Sequence, residues 1–242
     1  MEKTMPPDTP LLSARALTAA YGPMQVLWGV DLDVMAGESV LLLGANGAGK
    51  TTTLKVLVGL LAAKAGNISF EGHDFTHLRT DKRMRAGIAY MSELGVFPDL
   101  TIAENIRVGA QAVGRAEVAR RADELYALFP VLKEKRNQAA SSLSGGQRKM
   151  LGIAKALASA PKLLVMDEPS AGLSPLFVGE VLRALSSLRG NGLSLLIAEQ
   201  NIGFLDIADR VLVLEGGRIR FTGTVAAMND NAELRKAYFG LK

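Results

Sequence analysis

The residues Gly44 to Thr51 (GANGAGKT) fit the spacing G-x-x-x-x-G-K-[ST], a pattern suited to gripping phosphate. Gly44, Gly47 and Gly49 let backbone N–H groups approach phosphate oxygens without interference from a Cβ, and Ala45, Asn46 and Ala48 complete the loop. Lys50 supplies a mobile ammonium for the β- and γ-phosphates, Thr51 a hydroxyl for Mg²⁺, and Thr52 a contact to the α-phosphate. The loop needs a strand in front of it and a helix behind it, whose positive end faces the anion. The apolar run Ser39 to Leu43 predicts the buried strand, and Lys50 to Leu61 predicts the helix. The competing reading, a glycine turn that merely packs helix on strand, loses its weight once the flanking elements are counted.

A second apolar run, Leu163 to Asp167 (LLVMD), predicts another buried strand that ends in two adjacent carboxylates, Asp167 and Glu168. Neighbouring carboxylates repel unless a cation sits close, so the pair itself argues for a metal. After a phosphate-binding loop, Asp167 reads as the acid that holds Mg²⁺ through water and Glu168 as the group that polarises an attacking water. Surface acids ending a strand are the alternative. Between the two runs, Ser144-Gly145-Gly146-Gln147, within Leu143 to Gln147 (LSGGQ), predicts the start of a helix and a second anion site at a helix terminus. Alone, this tetrad could be an ordinary helix start.

The order GANGAGKT, LSGGQ, LLVMDEPSAGLSP resembles the ATP-binding subunit of an ABC transporter, from about Leu11 to the C-terminus. The resemblance implies an α/β P-loop NTPase fold: a RecA-like mixed sheet core, an N-terminal antiparallel β portion and an inserted α-helical subdomain. It also implies ATP and Mg²⁺ as cofactors and ATP hydrolysis as the activity. Two subunits would face each other, with Ser144, Gly145, Gly146 and Gln147 of one binding the γ-phosphate held by the loop of the other. Tyr21 matches the aromatic that stacks on adenine, although a lone tyrosine before a glycine is also an ordinary strand residue. Ser170 to Pro175 (SAGLSP) would cross the dimer interface.

Two positions depart from the family pattern. The glutamine that touches Mg²⁺ should follow the strand Gly87 to Met91, where the nearest candidate is Glu93, a charged and harder donor. The switch histidine should follow the strand Leu193 to Ala198, where Gln200 stands; glutamine donates a hydrogen bond but carries no proton. His73 and His77 lie in the polar segment Glu71 to Arg85 and read as solvated surface residues without metal-ligand spacing. EPSAGLSP and AEQN are similar to the second ATPase of branched-chain amino acid importers. That likeness implies a partner ATPase (homo- or heterodimer), two transmembrane permease subunits, an indirectly coupled substrate-binding protein and an asymmetric pair of catalytic sites. Importers of urea or short amides have near-identical ATPases, and a weakly hydrolysing regulatory module is a further reading. A DNA-repair ABC ATPase needs a long coiled coil that this length excludes.

Composition fits such a subunit. The 242 residues carry 28 basic and 24 acidic side chains in scattered order, a pattern without the basic stripe of a nucleic-acid binder. There is no cysteine, which excludes disulfides and thiolate metal sites. No apolar run approaches the ~20 residues of a membrane span and Met1 to Pro10 lacks a signal core, so the expectation is a cytoplasmic protein, peripheral on the inner face of the cell membrane. The domain expectation is one ABC ATPase domain over 1–242: a loose tail at 1–10, a catalytic core from 11–95 and 159–242, and a helical subdomain at 96–158 that includes a helix at Ala116 to Phe129. Val96 to Leu100 (VFPDL), leading into the helix that starts at Thr101 to Asn105, would form a groove for a partner helix; Phe97 could equally be core.

Overall fold

A computed structural model describes residues 9–92, 95–190 and 192–239. The strands are β1 (Leu12–Tyr21), β2 (Met24–Val34), β3 (Ser39–Leu43), β4 (Ala65–Phe70), β5 (His73–Asp74), β6 (Ile88–Met91), β7 (Leu163–Asp167), β8 (Ser194–Glu199), β9 (Arg210–Glu215) and β10 (Arg218–Thr224). The helices are α1 (Lys50–Leu57), α2 (Thr80–Arg85), α3 (Ile102–Gly109), α4 (Arg115–Leu128), α5 (Pro130–Glu134), α6 (Gly145–Leu157), α7 (Pro175–Arg189), α8 (Val225–Asp230) and α9 (Ala232–Phe239).

Two sheets organise the molecule. One has the order β2-β1-β4-β5 and is antiparallel. The other has the order β10-β9-β3-β8-β7-β6, parallel except for the β10 edge. The strands β3, β7 and β8 are buried along their whole length because elements cover both faces of the parallel sheet. Their side chains alternate between two cores. Leu41, Leu43, Leu164, Met166, Leu195 and Ile197 point into a core shared with α3, α6 and α7. Val40, Leu42, Leu163, Val165, Leu196 and Ala198 point into the other, shared with α1 and the antiparallel sheet. Shortening a side chain in either layer, Leu41→Ala for example, would cost about 2–5 kcal/mol. The fold is the expected α/β class, with a mixed sheet, an antiparallel β portion and a helical stretch between β6 and β7.

The helix after the phosphate loop is shorter than its sequence suggests, ending at Leu57 instead of Leu61. Gly59 takes φ +80°, and the N–H groups of Leu60 and Gly59 turn back to the carbonyls of Lys55 and Val56 at 2.8 and 3.1 Å. These bonds close the helix in a Schellman motif. The strand expected over Leu193 to Ala198 runs one residue later and so includes Glu199. α3 starts in a capping box between Thr101 and Glu104, and Asn105, fully buried, accepts from Phe97 N–H and donates to the carbonyls of Phe97, Leu100 and Thr101. Phe97 is therefore held at the surface, 46% exposed, with the Lys155 ammonium 4.5 Å from its ring centroid; the core reading of this residue is wrong. His73 and His77 are exposed, as expected. The expected tail lies mostly outside the described residues.

Candidate nucleotide site

The parallel strands deliver the loops of the site to one edge of the sheet. After β3 the chain turns through Gly44 to Gly49, with Gly47 at φ +80° and Gly49 at φ +108°, conformations in which a side chain would be strained. Ala48 N–H bonds to Ala45 O at 3.1 Å, so the loop curls on itself before α1 begins at Lys50. The Lys50 side chain is 3% exposed and donates to Gly44 O at 2.8 Å and Ala45 O at 3.3 Å. Its ammonium also lies 3.2 Å from the Glu168 carboxylate.

β7 ends at Asp167, which is almost fully buried. Thr51 Oγ1 donates to its Oδ1 at 3.0 Å and the Tyr90 hydroxyl to its Oδ2 at 3.2 Å. Burial holds the Asp167 carboxyl above the usual carboxylate range, against the pull of those two hydrogen bonds. The Tyr90 hydroxyl is pushed well above the ordinary phenol value, mainly by burial and then by the neighbouring Asp167 charge. A hydroxyl and a carboxylate close together offer the oxygen donors that Mg²⁺ prefers, so Thr51 and Asp167 fit that ion. Glu93, the remaining expected metal ligand, lies outside the described residues.

Glu168 follows at φ +47°, a left-handed conformation rare for a residue with a side chain and typical of functional sites when the surroundings enforce it. Its N–H bonds to Ala198 O at 2.9 Å, and its carbonyl accepts from Ala171 N–H at 3.1 Å and from Lys149 Nζ at 3.0 Å. Gln200, just past β8, donates from Nε2 to Asn46 Oδ1 at 2.6 Å and to Glu168 Oε1 at 3.2 Å. Asn46, Lys50, Glu168 and Gln200 thus form one cluster drawn from three loops.

A cavity of about 540 Å³ opens beside this cluster. The phosphate loop with Lys50, Thr51, Thr52 and Glu168 lines part of it, and Tyr21, Met24, Val26 and Trp28 line another part. Tyr21 is both the last residue of β1 and part of that wall. Ser144, Gly145, Gly146 and Gln147 are not among the described lining residues. They sit at the start of α6, where Ser144 Oγ accepts from Gln147 N–H at 3.3 Å and Gln147 Oε1 accepts from Ser144 N–H at 3.2 Å. This capping box sets the helix terminus.

The sequence profile described as ABC transporter matches residues 27–171, more than half of the chain. The chain belongs to the ABC transporter family. BraG of Pseudomonas aeruginosa, a high-affinity branched-chain amino acid transport ATP-binding protein, is 40% identical over 95% of this chain and all of its own length. The lipopolysaccharide export ATP-binding protein LptB of Escherichia coli K12 is 35% identical over 95% of this chain and 97% of its own. Among solved structures, the ADP conformation of an ABC transporter's ATP-binding cassette superposes with a TM-score of 0.84 at 26% identity, covering 96% of this chain and all of that one. The chain is the ATPase subunit of an ABC transporter and binds ATP; subunits of this family work as dimers with transmembrane permease partners. Among its described residues no helix is long and apolar enough to cross a membrane.

Two functional contacts are not visible in the sequence pattern. Tyr90 reads there only as part of a strand, yet its hydroxyl braces Asp167. Glu199, 2% exposed, accepts from Ser170 N–H at 2.7 Å, Gln200 N–H at 3.0 Å and Asn201 N–H at 3.2 Å, tying the loop after β7 to the loop after β8. An acid at the end of an otherwise apolar strand is the one signal that points to it.

Proposed function

We propose that this chain is the motor of an importer for branched-chain amino acids, peripheral on the cytoplasmic face of the membrane. The cluster of Lys50, Glu168, Asn46 and Gln200 beside the cavity carries the catalytic part of this reading. In the proposed reaction Glu168 orients a water for attack on the γ-phosphorus and takes up its proton. The bond from that phosphorus to the β,γ-bridging oxygen breaks, and ADP leaves. Lys50 balances the charge that develops on the phosphate oxygens, and Gln200 donates to the γ-phosphate from the far side. Thr51 and Asp167 would hold Mg²⁺, which supplies charge neutralisation at the β- and γ-phosphates.

Ser144 and Gly146, at the positive end of α6, would meet the γ-phosphate bound by the facing subunit, completing the site only in the dimer. Within this reading 96–158 acts as a helical unit that carries Ser144 to Gln147 against the core. Closure of the pair around ATP and its reopening after hydrolysis would drive the permeases by differential affinity. Glu168→Gln should retain ATP binding, trap the closed dimer and lower hydrolysis by at least ~100-fold; rapid turnover in that variant would remove Glu168 from its role.

Likeness to BraG over the full length supports the cargo assignment, and the LptB likeness supports lipopolysaccharide export as a second reading. The transporter purified with its permeases into liposomes distinguishes them. Stimulation of ATP hydrolysis by a leucine-loaded binding protein is the expected result, and indifference to it would favour the export reading.

A further inference from the structure

The nucleotide cavity has an aromatic wall that the phosphate-binding motifs do not account for. Met24, Val26 and Trp28 all lie on β2, and Tyr21 lies directly across the hairpin from Met24. All four line the cavity. Trp28 is the only tryptophan of the chain and is 43% exposed, an unusual position for so large an apolar ring on a strand whose Leu27, Val30 and Leu32 are buried.

The ring is fixed by the β9–β10 turn. Trp28 N–H bonds to Gly217 O at 2.9 Å, and Gly217 N–H bonds in turn to Ala48 O, within the phosphate loop, at 2.9 Å. Gly217 comes so close that a Cβ there would lie 1.8 Å from Val26 O and 3.0 Å from Trp28 Cδ1. Arg218 donates to Trp28 O at 3.0 Å and places its guanidinium 5.9 Å from the ring centroid. The Trp28 main chain is therefore held in register with the phosphate loop by a continuous run of hydrogen bonds, and its ring packs against Gly217 and Arg218.

We propose that Trp28 is a nucleoside-contacting residue, a second aromatic wall that works with Tyr21 to hold the base of ATP while Arg218 and Gly217 fix its ring. The proposal rests on the assignment of this cavity as the ATP site. The cavity's lining fits such a ligand: it combines the Lys50 ammonium and the phosphate loop with the apolar and aromatic side chains of Tyr21, Met24, Val26 and Trp28, against which a planar base would stack.

Because the chain has one tryptophan, its emission reports this wall directly. ATP and ADP titrated into the full-length protein without Mg²⁺ should change the Trp28 emission saturably, whereas inorganic tripolyphosphate should leave it unchanged. Trp28→Ala should weaken ATP binding, measured by calorimetry, about tenfold and raise KM with a smaller effect on kcat, while tripolyphosphate affinity stays the same. Trp28→Phe, which preserves a ring and the fold, should retain most of the ATP affinity. ATP binding by calorimetry with flat emission, and with Trp28→Ala binding as tightly as the parent, would overturn the proposal and leave the site assignment standing. Failure of ATP to bind the parent protein at all would overturn the assignment itself.

Discussion

The Lys149 ammonium, on α6, donates to the main-chain carbonyl of Glu168 at 3.0 Å. This contact joins the helix that starts at Ser144 to the residue that carries the left-handed turn after β7. Glu168 takes φ +47° only because its neighbours hold it there, through Ala198 O on one side and Ala171 N–H and Lys149 on the other. Lys149→Met should relax that turn and misplace the carboxylate that pairs with Lys50. The expected outcome is a fall in kcat of about tenfold with little change in KM for ATP, since a hydrogen bond to a charged group contributes about 1.5–3 kcal/mol. Lys149→Arg should restore most of the rate. Equal losses in both variants, or a change in KM alone, would argue against a positioning role.

Gln200 reaches both Asn46 and Glu168, so it joins the phosphate loop to the turn after β7. Its amide donates without carrying charge. Gln200→His offers a donor that can be protonated, and in the assembled transporter it should raise ATP hydrolysis several-fold at the site that uses this chain's phosphate loop, with the gain growing as the pH falls through the histidine range near ~6.5. An unchanged rate across that range would show that Gln200 does not limit turnover.

Glu199 should matter to stability more than its place outside the cluster of Asn46, Lys50, Glu168 and Gln200 suggests. Glu199→Gln keeps one acceptor oxygen and turns an NH₂ toward N–H donors, so either Ser170 or the Gln200–Asn201 pair loses its partner. An unsatisfied buried donor costs about 1–3 kcal/mol, which lowers Tm by roughly 2–12 °C in a domain of this size. Thermal unfolding of the two proteins measures it, and coincident curves would mean that water satisfies the freed groups.

The parallel strands are legible in the sequence because they are covered on both faces: continuous apolar runs as short as Ser39 to Leu43 and Leu163 to Asp167 suit a strand buried on both sides better than a helix. The phosphate loop is legible because its chemistry is local, with glycines, lysine and threonines in one stretch. Contacts that pair distant residues are not. Tyr90 meets Asp167 across 77 positions and Trp28 meets Gly217 through a hydrogen bond between sheets, and neither leaves a trace in periodicity. Phe97 is ambiguous for the same reason: a loop aromatic is placed by whatever anchors its backbone, here Asn105. The helix end after Leu57 is hidden because Val58, Leu60 and Leu61 extend the apolar pattern past the glycine that stops the helix.

The cap of α3 gives the fold a defined sensitivity to acid. Glu104 Oε2 accepts from Thr101 N–H and from the Thr101 hydroxyl, both at 2.8 Å, and these bonds, the backbone one first, hold its carboxyl below the usual glutamate range. A carboxyl whose folded value is depressed adds stability above its unfolded pKa of about 4.3, and that contribution is lost as the pH falls through the lower folded value. Asp74, held low by Thr76, and Glu117, held low by Arg120, act in the same direction, so the informative quantity is the difference between wild type and Glu104→Gln. Urea unfolding should show wild type more stable at pH 6, with the gap closing as the pH falls below about 4. Thr101→Ala, which removes the reciprocal half of the cap, should cost about 0.5–2 kcal/mol and shrink the same gap. A gap of constant size from pH 6 down to pH 3 would mean that the carboxylate charge contributes nothing at this helix start.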